Sequence, residues 1–91
     1  MVAWFFEDDA GYVAWLRANP SGFVVNCERE PKARYVVFHR AGCSTISGTP
    51  SNGGSWTSAY AKACASTRAE LERWCVERTG RGPTACGRCA D

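Results

Sequence analysis

Residues 34–43 read RYVVFHRAGC. Val36, Val37 and Phe38 sit in a run of β-branched and aromatic residues, the composition of a strand. The run ends on His39, the single histidine of the chain, and a cysteine follows four residues later. Arg40-Ala41-Gly42 lies between them, and Gly42 suits a bend that would aim both side chains the same way. The fold therefore turns on what else reaches this strand end.

Upstream, GFVVNCE (22–28) reads as a partner strand, with Phe23, Val25 and Cys27 on one face and Val24, Asn26 and Glu28 on the other. REPKA (29–33) makes the turn of an antiparallel hairpin. Before it, EDDAGYVAWLRANP (7–20) predicts a helix capped by Asp8 or Asp9 and stopped at Asn19-Pro20. Downstream, STISGTPSNGGS (44–55) is a long loop with three glycines and four serines. WTSAYAKAC (56–64) predicts a third strand, and STRAELERWCVERTG (66–80) the clearest helix. There Thr67 and Glu70 form a capping box, Leu71, Trp74 and Cys75 an apolar stripe, and Gly80 a left-handed C-cap. The fold class expected is α+β: a small three-stranded antiparallel sheet with two helices, in the order α-β-β-β-α, both helices on one face, and a zinc-bound C-terminal tail. The whole chain, 1–91, is expected to be a single zinc-stabilised domain.

The tail closes on ACGRCAD (85–91), a Cys-x-x-Cys at Cys86 and Cys89. If 56–64 descends antiparallel beside 34–40, Cys64 is carried to the far end of the sheet. The helix over 66–80 then climbs back and delivers Cys86 and Cys89 to His39 and Cys43. Zn²⁺ prefers four nitrogen and sulfur ligands in a tetrahedron, so His39, Cys43, Cys86 and Cys89 are the expected metal ligands. Cys64 is the alternative ligand, in place of His39, if the third strand runs parallel to the second or the long loop re-enters. Gly87 would relieve crowding within the Cys-x-x-Cys turn. Cys27 and Cys75 read as small core residues.

Six cysteines in 91 residues suit either disulfides or a metal. The N-terminus has neither a basic region nor a long apolar run, and three acids occupy 7–9. That is no secretory signal, and no segment approaches the roughly 20 apolar residues of a membrane helix. The expectation is a cytoplasmic protein with reduced thiols, no membrane and no small-molecule cofactor, in which Zn²⁺ takes the place of disulfides.

Enzymatic readings are weak. A Cys43/His39 nucleophile pair has no third group nearby to orient the base. The Cys-x-x-Cys trails a helix, where a thioredoxin-like motif would open one. GTPSNGGSW lacks the Lys-Ser/Thr of a phosphate-binding loop. No enzyme is expected, and binding remains. A net charge of +2 announces no nucleic-acid binder by itself. Local placement matters more: Lys32, Arg34 and Arg40 on the hairpin, Arg88 in the tail and Trp56 after the loop are the expected contacts to DNA or RNA. The alternative function is a protein–protein interaction adaptor on the same zinc scaffold.

The strings GFVVN, YVVFHRAGCSTI, AYAKACAS, LERW and CGRC together resemble a small bacterial domain family. Its pattern runs roughly H-R-A-x-C-x-x-I, Y-x-K-x-C, L-x-x-W, C-x-x-C. The likeness spans nearly the whole chain and falls on Asn26, His39, Arg40, Ala41, Cys43, Ile46, Cys64, Leu71, Trp74, Cys86 and Cys89. Such domains occur alone or beside nuclease-like modules. The resemblance therefore implies nucleic-acid recognition or an accessory role in a bacterial defence or nuclease system, and it adds weight to Cys64 as a ligand.

Overall fold

The computed structural model describes residues 1–48 and 54–89. The middle of the predicted loop, 49–53, and the last two residues lie outside the described part. The elements run β1 Ala3–Phe5, α1 Asp9–Ala18, β2 Phe23–Cys27, β3 Val36–Arg40, β4 Ala61–Ala65, α2 Arg68–Thr79 and β5 Thr84–Ala85. Among the described residues the class is α+β with two helices, but the sheet is five-stranded and mixed, in the order β1-β4-β2-β3-β5. The three-stranded antiparallel sheet expected from sequence is thus corrected twice.

First, two strands were missed. β1 and β5 have three and two residues. That is too short to show an alternation, and each exists only because a neighbouring edge supplies its hydrogen-bond partners. β1 pairs antiparallel with β4, and β5 pairs parallel with β3. Second, β4 lies beside β2, not β3. All five residues of β4 are buried. A strand covered on both faces belongs inside the sheet, whereas the outer flank of β3 takes only the short β5. The predicted strand also began too early: 56–60 are bends, and the N–H groups of Trp56 and Thr57 are tied to Asp9 of α1 instead of to a ladder.

Register assigns the faces, since directly paired residues point the same way. One face carries Trp4, Ala63, Val25 and Phe38; the other carries Phe5, Lys62, Asn26 and Val37. Trp74 of α2 packs its ring 5.8 Å from Trp4, and the Arg68 guanidinium sits 4.7 Å over Phe38. Tyr12 of α1 lies 6.0 Å from Phe5 on the other side. The helices therefore cover opposite faces, not one.

Local signals behave as chemistry dictates. Asp8 is the N-cap of α1, accepting from the Gly11 N–H at 2.9 Å. Thr67 caps α2, accepting from Glu70 N–H at 3.3 Å, and its own hydroxyl donates to the Glu70 carboxylate at 2.8 Å. Gly80 ends α2 at φ +82°, a left-handed conformation that costs glycine nothing. Cys27 and Cys75 are fully buried core residues, as their strand and helix faces predict. Among the described residues no helix is long and apolar enough to cross a membrane.

Candidate metal centre

β3 ends at Arg40 with His39 buried, 5% exposed. The chain then turns tightly. Cys43 N–H donates to Arg40 O at 2.9 Å, Ile46 N–H to Cys43 O at 3.1 Å, and the Ser47 hydroxyl to the same carbonyl at 2.7 Å. The buried Tyr12 hydroxyl donates to Ile46 O at 2.7 Å and clamps this turn to α1. Cys43 is thus held over the strand end by backbone bonds, the Ser47 hydroxyl and one tyrosine.

The tail arrives from the other flank. β5 runs parallel to β3 with Val37 paired to Thr84 and Phe38 to Ala85, and Cys86 N–H extends the ladder to Phe38 O at 2.9 Å. The next position sets Cys86 beside His39, and alternation turns both side chains to one face. Cys89 folds back over Arg40, whose Nε donates to Cys89 O at 2.8 Å and whose backbone N–H donates to the Cys89 sulfur at 3.4 Å.

His39, Cys43, Cys86 and Cys89 could hold a metal ion: one ligand atom from each lies within 4.8 Å of every other. Cys43 Sγ and Cys86 Sγ are 4.0 Å apart, and Cys89 Sγ lies 3.9 Å from His39 Nδ1. A tetrahedron with metal–sulfur bonds of about 2.3 Å has edges of about 3.8 Å, so these spacings match a set of four ligands around one ion.

The surrounding electrostatics favour the ligand forms of His39 and Cys86. Burial, and then the Lys62 charge, push the His39 imidazolium down to about 4, so the ring is neutral at pH 7 with a lone pair to give. Burial alone would raise the Cys86 thiol. The backbone N–H groups of Arg88 and Cys89 outweigh it and lower the net value, since N–H donors stabilise a thiolate. The Arg88 N–H bond to Cys86 Sγ is 3.4 Å long. Cys89 is raised instead, by burial first and then by its contact with Cys43. Three sulfurs so close cannot all ionise without a cation among them, and a divalent ion removes that conflict. Thr45 Oγ1 stands 3.0 Å from Cys43 Sγ, where its hydroxyl can donate to the ligand sulfur, and 3.3 Å from His39 Nδ1, the ring nitrogen that also faces Cys89.

Cys64 stands outside the cluster. It is fully buried, and burial raises its thiol strongly. The rival ligand set is therefore not the one the fold assembles. The cluster formed although the route to it was misjudged. β4 runs in the same direction as β3, so α2 descends from the metal end, and it is β5 that climbs back with the tail.

The expected nucleic-acid contacts divide between two ends. Arg40 and Arg88 are exposed beside the cluster. Lys32 and Arg34 are exposed at the opposite end of the hairpin, at least the ~13 Å length of a five-residue strand away. Arg34 is held there in a two-pronged pair with Glu28, at 3.0 and 2.9 Å. Trp56 is half-buried, edge-on to Tyr12 at 6.3 Å, with its backbone N–H on Asp9. Sequence reasoning passed over Arg17, at the end of α1, which lines one groove with Ala41 and Gly42 of the cysteine turn. It also passed over Thr45 and the buried Lys62. A lysine amid alanines in a strand was the available signal for the last of these.

Comparison of the chain with protein-family models, with curated proteins and with solved structures gave no match.

Proposed function

We propose that this protein is a zinc-braced binding module whose metal end grips the phosphates of nucleic acid. The observation that carries the zinc reading is the closed set of three sulfurs and one imidazole drawn from a strand end, a turn and the tail. Thiolate-rich tetrahedral sets select zinc or iron–sulfur centres, and a neutral histidine with three cysteines and no open position is the donor set of structural zinc. Binding such an ion stabilises the fold directly and supplements the modest core of a domain this small.

The phosphate reading is supported by Arg40 and Arg88 beside the cluster, with Arg17 on the adjoining groove. Guanidinium groups fork onto phosphate oxygens. A role beside a bacterial nuclease or defence system is part of the proposal and rests on the resemblance alone.

Elemental analysis tests the first part: one zinc per chain, with a lowered melting temperature after chelation, is expected. A folded, metal-free protein whose three cysteine ligands alkylate freely overturns it. For the second part, retention on DNA or RNA at low salt should fall with a slope of about −2 to −3 for three phosphate contacts. It should also be lost in an Arg40→Glu/Arg88→Glu variant. A zinc-loaded protein that shows no retention on either nucleic acid overturns that part alone.

A further inference from the structure

α1 and the cysteine turn wall a groove of about 370 Å³. Val13 and Leu16 of α1 and Trp56 supply apolar sides, and Ser47 and Arg17 polar ones. Ala41 and Gly42 also line it, and they follow Arg40 directly in the chain. These walls are braced from behind. The Tyr12 hydroxyl ties α1 to Ile46 O, its ring meets the Trp56 ring edge-on, and Asp9 accepts from the Trp56 N–H. The Ser47 hydroxyl donates to Cys43 O, and its oxygen keeps lone pairs with which to accept.

Charge selects the occupant. Arg17 and Arg88 are exposed, and among the described residues no carboxylate pairs with either. Arg34 and Arg68, by contrast, are each paired with a glutamate. An aromatic-walled groove that carries an unpaired guanidinium suits a group that is apolar on its flat faces, polar at its edge and joined to an anion. A nucleobase on its sugar-phosphate is such a group. An aliphatic chain would leave the guanidinium unmatched, and a free phosphate would leave the apolar walls uncovered. We propose that the groove takes one unstacked base of a single strand, whose backbone phosphates are held by Arg17, Arg40 and Arg88. The inference rests on the phosphate reading above and adds that the preferred ligand is single-stranded. The groove lies at the small end of the roughly 300–1,000 Å³ of ligand sites, which is room for one base and not for a stack of them. In a duplex both faces of a base are covered by its neighbours, so only a single strand offers a base to apolar walls.

The test titrates the full-length protein at low salt with a single-stranded DNA, the RNA of the same sequence, the DNA duplex, and an abasic DNA strand of equal length that keeps the phosphates and lacks the bases. At least one of the two single strands is expected to bind about tenfold more tightly than the abasic strand, the gain from stacking one base. Trp56→Ala is expected to remove that gain and to leave affinity for the abasic strand and the duplex unchanged. An abasic strand that binds as tightly as both single strands overturns the inference and leaves the phosphate reading standing. So does a folded Trp56→Ala variant that keeps the gain, or one that loses duplex and single strand equally. Binding to none of the four overturns both readings. Should Trp56→Ala fail to fold, the comparison of single and abasic strands on the unaltered protein decides by itself.

Discussion

His39 and Cys64 stand level in the sheet, each paired with Val24 from opposite sides. They point to the same face two strand spacings apart, about 9.6 Å, and only His39 reaches the three sulfurs of the cluster. Parallel side chains on a sheet do not converge, so Val24 between them keeps Cys64 in the core.

Cys64→Ala should therefore keep its metal. It should cost about 1 kcal/mol of stability through the small void left beside Val24. Cys86→Ala should lose the metal and most of the folded population. Metal content and denaturant melts of the two variants side by side check this, and loss of metal from Cys64→Ala would reinstate it as a ligand.

The glycines in the two cysteine turns should be dispensable. Gly42 and Gly87 do not have positive φ, and a Cβ built at either meets nothing within 4 Å. Gly42→Ala and Gly87→Ala should leave metal content intact and stability unchanged or raised by about 0.5 kcal/mol, because alanine restricts the unfolded chain. Gly80→Ala, at φ +82°, should cost about 1 kcal/mol. Thermal melts rank the three, and a destabilised Gly87→Ala would show that the Cys-x-x-Cys turn needs its glycine after all.

Burial lowers the Lys62 ammonium from 10.5 to about 8, against the opposing pull of Cys27 and Cys64. Between those two values the unfolded chain binds more protons than the folded one, so stability rises with pH across that window. The cost is fully present below pH 8 and is relieved as pH climbs to 10.5. The shift corresponds to about 3 kcal/mol. Unfolding free energies of the natural protein, each referenced to Lys62→Met at the same pH, should rise by about that amount between pH 7.5 and 10.5. A flat difference would mean that the buried amine titrates normally.

Asp9 ties the chain after the loop to α1. Its carboxylate accepts from the N–H groups of Trp56 and Thr57 at 2.8 and 2.9 Å and from the Thr57 hydroxyl at 2.6 Å. Burial raises its pKa, but these donors prevail and hold it below 3.8. Its contribution is thus present above pH 3.8 and is lost as pH falls further. Asp9→Ala should cost about 2 kcal/mol and speed amide exchange in residues 55–57. Unchanged exchange there would show that the segment is held by other bonds.

Much of the site was legible in the linear chain because its ligands come from turns that announce themselves. His39 ends a β-branched run, Cys43 follows a glycine, and Cys86 and Cys89 form a Cys-x-x-Cys. Both helices could be read as well, through Asp8, Thr67 and Gly80, since caps satisfy backbone donors within a few residues. The edge strands could not. Neither Ala3–Phe5 nor Thr84–Ala85 has a pattern of its own, and each takes its conformation from the neighbour it pairs with. The role of Asp9 was equally hidden, because its partners lie 47 and 48 residues away.

By itself, then, the sequence determined the α+β class, the helix ends and the candidate ligands of an ion, Cys43, Cys86 and Cys89 with His39 or Cys64. These depend on local periodicity, caps and ligand chemistry. Only the tertiary structure decided that β4 enters beside β2, that the helices take opposite faces, that Cys64 stays in the core, and that α1 and the cysteine turn wall one groove. Those choices depend on which strand edge buries more surface, and that competition among distant segments leaves no mark on any short stretch of chain.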